Sequence, residues 1–250
     1  MTVSTEEQLR ERISELEAEL AQRSREAAEK ESQLERYAAD LRETFKQERA
    51  RAQELRESYR LTVRALANAV EARDAYTGRH AERVAAYGMQ LAEVFGMRLG
   101  DGPEIEFGFL LHDAGKVAVP DAILFKPGRL TNAERLIIEQ HPITGSEIVR
   151  DIEFLGAARD VIRHHHERWD GTGYPDQLAG EAIPVSARIF AVADTLDALT
   201  TNRPYRRAST IAQARAIILQ GDGTHFDPRV IEAFKQLSDG EIERIRLETG

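Results

Sequence analysis

Between Glu6 and Tyr59 the chain runs without a glycine or proline, and Glu, Arg, Ala, Gln and Leu make up most of it. Leu9, Ile13, Leu16, Leu20, Ala27, Leu34, Tyr37 and Leu41 follow the alternating four-and-three step of a heptad, with Arg23 and Lys30 interrupting it. A narrow apolar stripe on an otherwise charged helix needs a partner to cover it. The pattern predicts one long helix over residues 1–60 that pairs as a parallel homodimeric coiled coil, weakening after Leu41 where the seam turns polar. A solvated single helix is the competing reading.

Beyond Arg60 the pattern changes. Apolar positions become denser, almost nothing alternates with period two, and turn signals recur at Thr77-Gly78, Gly100 to Pro103, Pro120, Pro127-Gly128, Gly171 to Pro175, Pro184, Pro204 and Gly221 to Pro228. Thr131 with Glu134 is a capping box, Ser209 or Thr210 is placed to cap a helix ending near Gln220, and Asp227-Pro228 opens another. Residues 61–250 therefore read as an all-α bundle of about eight helices. The segment Pro184 to Arg206 is predicted as one helix, apolar nearly all round.

Composition narrows the function. The formal charge of −9 argues against coating a nucleic-acid polymer or an anionic membrane, both of which need a basic footprint. Cysteine is absent, so any transition metal must be held by imidazole and carboxylate. Met1 to Arg12 is too polar for a secretory signal and no apolar run is long enough to cross a bilayer, so a cytoplasmic protein is expected.

The chemistry gathers in a few segments. In "FGFLLHDAGKVAVP", Phe107 to Pro120, His112 and Asp113 close an apolar stretch, where an unpaired charge would be costly. In the apolar helix after Pro184, Asp194 and Asp197 stand three apart on one face. A salt bridge is the ordinary explanation for each; for Asp194, inside the most apolar run, a metal is the stronger reading. His80 opens a helix in "DAYTGRHAERV", and His141 follows the helix capped by Thr131. "RHHHERWDGTGYP", Arg163 to Pro175, sets three histidines against a tight turn. Of seven histidines, six fall in these groups. Each alone is more often structural; together with buried carboxylates they form the ligand set of a multinuclear Fe, Mn, Zn or Co site.

"HDAGKVAVPDAILFKPGRLTNAE", "HHERWDGTGYP" and "VADTLDALTTNRPYR" together resemble the HD-GYP domain, a branch of the HD phosphohydrolases, from about Asn68 to Leu237. The resemblance implies an all-α phosphodiesterase that hydrolyses cyclic di-GMP to linear pGpG or GMP by attack of a metal-bridging hydroxide. Carried over position by position, it implies that His80, His112, Asp113 and Asp194 hold one metal. Asp113 then bridges to a second metal held by His141, His165 and His166. His164 has no assigned role, and Glu167 is expected to orient an imidazole through its other nitrogen. The turn from Asp170 to Pro175 is expected to bring Gly173 close to substrate and to present Tyr174 at the rim. Three-metal relatives carry a Glu where this chain has Tyr76, so two divalent metals are expected, Fe or Mn foremost, with Zn, Co and Ni as alternatives.

Two such cations about 3.5–4 Å apart activate a shared water and neutralise the attacked phosphodiester. Lys116 is placed to meet a phosphate oxygen or the leaving group. Arg203 and Arg206 supply a basic pocket for phosphate or the guanine edge. The rival readings are another cyclic dinucleotide or nucleotide as substrate, and a ligand-binding module that signals through the coiled coil to or from an upstream partner.

Overall fold

The computed structural model describes residues 5–73, 79–97, 104–202 and 206–249. The chain divides into two units, Met1–Ser58 and Tyr59–Gly250. Within the first unit every described residue belongs to helix α1 (Thr5–Glu71). Ion pairs one turn apart line its flanks, among them Arg10–Glu6 at 2.9 Å and Arg23–Glu19 at 2.7 Å. Exposed pairs of this kind are worth only ~0.3–0.5 kcal/mol each. Leu9, Ile13, Leu16, Leu20, Leu34, Tyr37 and Leu41 are all exposed on this helix, which leaves the heptad stripe uncovered.

The second unit takes in the last turns of α1, where Val63 and Ala67 are buried. There follow α2 (His80–Val94), α3 (Glu104–Leu110), a 3-10 turn (Ala114–Ala118), α4 (Asp121–Leu124), α5 (Asn132–Ile138) and α6 (His141–Ile148). After a second 3-10 turn (Glu153–Leu155) come α7 (Gly156–His164), a third (Gly180–Ala182), α8 (Val185–Thr200), α9 (Ile211–Gln220), α10 (Pro228–Gln236) and α11 (Asp239–Thr249). The described residues contain no β-strand; Asp222 and Phe226 form an isolated bridge. The all-α expectation holds. The helices after α1 are more numerous than eight, because short ones such as α4 lack the length for a periodic signal and depend on tertiary contacts.

Helix α8 forms the axis of the core and packs against α2, α7, α9 and α10. Ile189, Phe190, Val192 and Leu196 are buried on different sides of it, as its all-round apolar sequence requires. It ends at Thr200 and not near Arg206, because Thr201 is already extended (φ −104°, ψ 141°). The downstream chain then folds back, with Ser209 donating its N–H to the carbonyl of Leu199 at 2.9 Å. The predicted caps form. Thr131 and Glu134 make a reciprocal box on α5, Thr210 does the same with Gln213 on α9, and Asp227 accepts from Arg229 N–H at the start of α10.

Candidate metal centre

Three histidines are set by one local device. His112 follows α3 and donates Nδ1–H to the carbonyl of Phe109 at 2.8 Å. His141 opens α6 and donates to Ile138 at 2.7 Å. His165 follows α7 and donates to Ile162 at 2.9 Å. A carbonyl can only accept, so each Nδ1 carries a proton, which leaves Nε2 as the atom of each ring that can ligate. The backbone turn three residues upstream thus points a ligand atom into the interior.

These atoms converge. Asp113 Oδ1 lies 3.2 Å from His141 Nε2 and 3.9 Å from His165 Nε2. Its Oδ2 lies 3.0 Å from His112 Nε2 and 2.7 Å from Lys116 Nζ. The ring of His166 lies tilted against that of His165, with centroids 4.1 Å apart. Two sets result, Asp113 with His141, His165 and His166, and Asp113 with His80 and His112; the ligand atoms of each lie within 4.8 Å of one another. Asp113 belongs to both. Asp194 adjoins the second set, its Oδ1 3.5 Å from His80 Nε2.

The donor chemistry fits a divalent cation. His141 Nε2 and His165 Nε2 face each other at 3.1 Å, while the Nδ1 of each is engaged by a backbone carbonyl. Burial, reinforced by the neighbouring imidazoles, holds His165 well below the usual histidine range and His166 down to about 3. A metal between the nitrogens gives both of them a partner. Burial opposes ionisation of Asp113, but His112 and Lys116 outweigh it and hold the carboxyl well below its ordinary value. A cavity bordered by Ala67, Val70 and Glu71 opens on His80, His112 and Lys116.

Several expectations change. Asp194 is not the buried member of its pair: its side chain is 32% exposed, while that of Asp197 is 2% exposed. Residues three apart are offset by about 60° on a helix, enough to turn one inward and leave the other partly exposed. Glu167 orients no candidate ligand. Its two carboxylate oxygens accept the backbone N–H groups of Asp176 (2.7 Å) and Leu178 (3.2 Å), which ties down the far side of the turn. His164 lies beside Glu167 and Asp176, with Nδ1 3.5 Å from the Asp176 carboxylate. Gly173 is buried and serves the turn itself, since a Cβ there would meet Arg168 N at 2.4 Å and His166 O at 2.6 Å. Tyr174 stacks on His166, with centroids 4.6 Å apart and planes 25° apart, and is half-buried.

Lys116 is paired with Asp113. Arg206 is exposed and donates to the carbonyl of Ala198 on α8, with no described contact to the histidines. Arg203 and Tyr76 lie outside the described residues. Sequence reasoning missed Arg83 and Glu71. Arg83 reaches Asp197, and Glu71 accepts the N–H of Ala81 beside His80 at 3.1 Å. No short-range pattern marks either, because their partners lie on other helices.

Residues 64–230 match the HD domain family. The chain belongs to that family. HD domains of this type bind divalent metal, in keeping with the histidine and aspartate sets above. The chain is 42% identical over 181 residues to a Vibrio cholerae protein named 3'3'-cGAMP-specific phosphodiesterase 2, covering 72% of this chain and 35% of that one. It is 42% identical over 182 residues to the cyclic di-GMP phosphodiesterase response regulator RpfG of Xanthomonas campestris, covering 72% and 48%. The chain thus spans between a third and a half of the length of these curated relatives. Among solved structures, an HD-GYP-type protein from Bdellovibrio bacteriovorus aligns over 71% of this chain and 62% of its own, with a TM-score of 0.52 at 22% identity. A cyclic GMP-AMP specific phosphodiesterase from V. cholerae aligns over 74% and 53%, with a TM-score of 0.53 at 21% identity. These two share the fold. No helix among the described residues is long and apolar enough to cross a membrane.

Proposed function

We propose that the chain is a metal-dependent phosphodiesterase that hydrolyses cyclic di-GMP to linear pGpG or GMP, in the cytoplasm, at a two-metal centre loaded with iron or manganese. The observation that carries the reading is the pair of opposed Nε2 atoms of His141 and His165, 3.1 Å apart beside Asp113. His80, His112, Asp113 and Asp194 would hold one cation, and Asp113, His141, His165 and His166 the other. Bound there, divalent cations neutralise phosphodiester charge and acidify water.

The chain's own groups do the rest. Hydrolysis adds water across a P–O3′ bond, leaving the phosphate on the 5′ side and delivering a proton to the departing 3′ oxygen. Lys116 Nζ, 2.7 Å from Asp113 Oδ2, stands at the centre with protons to donate and a charge for a phosphate oxygen. Neutral His165 and His166 keep their lone pairs for ligation. The turn held by Glu167 keeps Tyr174 stacked over His166, which screens that ligand from bulk water. Recognition of guanine falls to Arg203 and Arg206 as expectation, and the exposed stripe of α1 supports a homodimer through the N-terminal helix, open to an upstream signalling partner.

A second reading replaces the substrate with 3'3'-cGAMP, because a relative named for that activity matches as well as those named for cyclic di-GMP. Anaerobic loading with Fe(II) or Mn(II), elemental analysis and chromatographic assay on both dinucleotides test the proposal. About two metals per chain and faster turnover of cyclic di-GMP support it. Preference for 3'3'-cGAMP selects the second reading, and metal-loaded protein that cleaves neither overturns both.

A further inference from the structure

His80 is held differently from its neighbours. Where His112, His141 and His165 donate Nδ1–H to neutral backbone carbonyls, His80 Nδ1 meets a carboxylate oxygen, Asp197 Oδ2, at 2.7 Å. That carboxylate is nearly inaccessible and is itself fixed. Arg83 Nε donates to its Oδ1 at 2.6 Å, Arg83 Nη2 to its Oδ2 at 3.2 Å, and Thr201 Oγ1 lies 3.3 Å from Oδ1. His80 and Arg83 sit one turn apart on α2, and Asp194 and Asp197 one turn apart on α8. The imidazole is therefore gripped between Asp197 at Nδ1 and Asp194 at Nε2, 3.5 Å away.

We infer that Asp197 is a positioning residue of the metal centre, fixing the tautomer and orientation of His80 and making the metal position at His80 unlike the one at His165. The inference deepens the metal-centre reading and rests on it. An anionic acceptor draws on Nδ1–H more strongly than a carbonyl does, so Nε2 of His80 becomes the stronger donor. The Arg83 guanidinium is permanently protonated. Arg83 reaches both oxygens, but its shorter bond and that of Thr201 go to Oδ1, so in Asp197→Asn the amide oxygen takes the Oδ1 place and the NH2 group faces His80 Nδ1. A donor in that place forces the ring into the Nε2–H tautomer and removes the lone pair that would meet a metal.

The test is calorimetric titration of Zn(II) into the full chain and into Asp197→Asn, with circular dichroism on both. The expected result is that one of two zinc-binding steps weakens by about 10–100-fold while the other and the helical signal stay as in the wild type. Equal weakening of both steps, or of neither, would overturn the inference. Should the variant not fold, nitrogen-15 spectra of histidine in zinc-loaded wild-type protein decide the matter. A protonated Nδ1 on His80, hydrogen-bonded to carboxylate, supports the inference, and a protonated Nε2 overturns it. Wild-type protein that takes up no zinc overturns the metal-centre reading itself, a result distinct from any failure seen only in the variant.

Discussion

Arg188 on α8 reaches Asp227, the cap of α10, across 2.6 Å, with only 9% of its side chain and none of the aspartate exposed. The guanidinium also lies over the ring of Trp169, 5.8 Å from its centroid. One cation thus joins the axial helix, the segment after the triple histidine and a helix cap. Breaking a buried pair leaves a charge stranded, at a cost of about 3–5 kcal/mol. Arg188→Met should lower unfolding stability by roughly that amount in urea titrations. Adding Asp227→Asn to it should recover part of the loss, since it removes a buried carboxylate whose remaining ion-pair contact, to Arg229, is 3.6 Å long.

Metal removal should destabilise the fold. A ligand bound only by the native state adds about 4 kcal/mol when present at a thousandfold its dissociation constant. Melting curves of metal-loaded protein should therefore fall by several degrees on adding a chelator, by an amount scaling with chelator excess. In His165→Ala the chelator should cause a much smaller shift, because His165 lies between Asp113, His141 and His166.

Gly173→Ala should damage the turn. The atoms a Cβ would strike are the backbone of His166, Glu167 and Arg168, none of which can rotate aside. The turn must move away, and His166 and Tyr174 lose their stacking. Overpacking of this kind costs about 1–3 kcal/mol. Hydrolysis should fall further than stability, because His166 is a proposed ligand; activity and urea midpoint measured side by side would separate the two.

Local pattern made part of this legible. The long helix after Thr5, the caps at Thr131, Thr210 and Asp227, and the all-round apolar character of α8 are short-range signals, and each is present in the structure. The histidines stood out because so few occur elsewhere in the chain. The supporting network was not legible. Asp197 meets Arg83 across 114 residues, and nothing near either one in sequence announces the other. Glu167 stands out in the sequence but takes a different role from the expected one, since its partners are backbone amides, which carry no side-chain signature. Asp194 and Asp197 share one face in the sequence pattern because three residues nearly complete a turn, and the residual 60° decides which of them is solvated.

The uncovered stripe on α1 predicts self-association. Leu16→Lys with Leu20→Lys puts charge at two adjacent seam positions while preserving helix propensity. Light scattering should find the unaltered chain dimeric at tens of micromolar and the double variant monomeric, by the usual strength of such seams. A monomeric wild type would refute the coiled-coil assignment.

Gly115 and Gly145 face each other between the 3-10 turn that follows Asp113 and the helix that begins with His141. A Cβ on Gly115 would fall 1.9 Å from the carbonyl oxygen of His141 and 2.5 Å from the amide nitrogen of Gly145. The clearance between the two segments is therefore set by main chain against main chain, with no intervening rotamer to hop. The spacing of Asp113 from His141 inherits the stiffness of covalent geometry, so warming that loosens side-chain packing elsewhere should leave the width of this cage nearly constant until the helices themselves part.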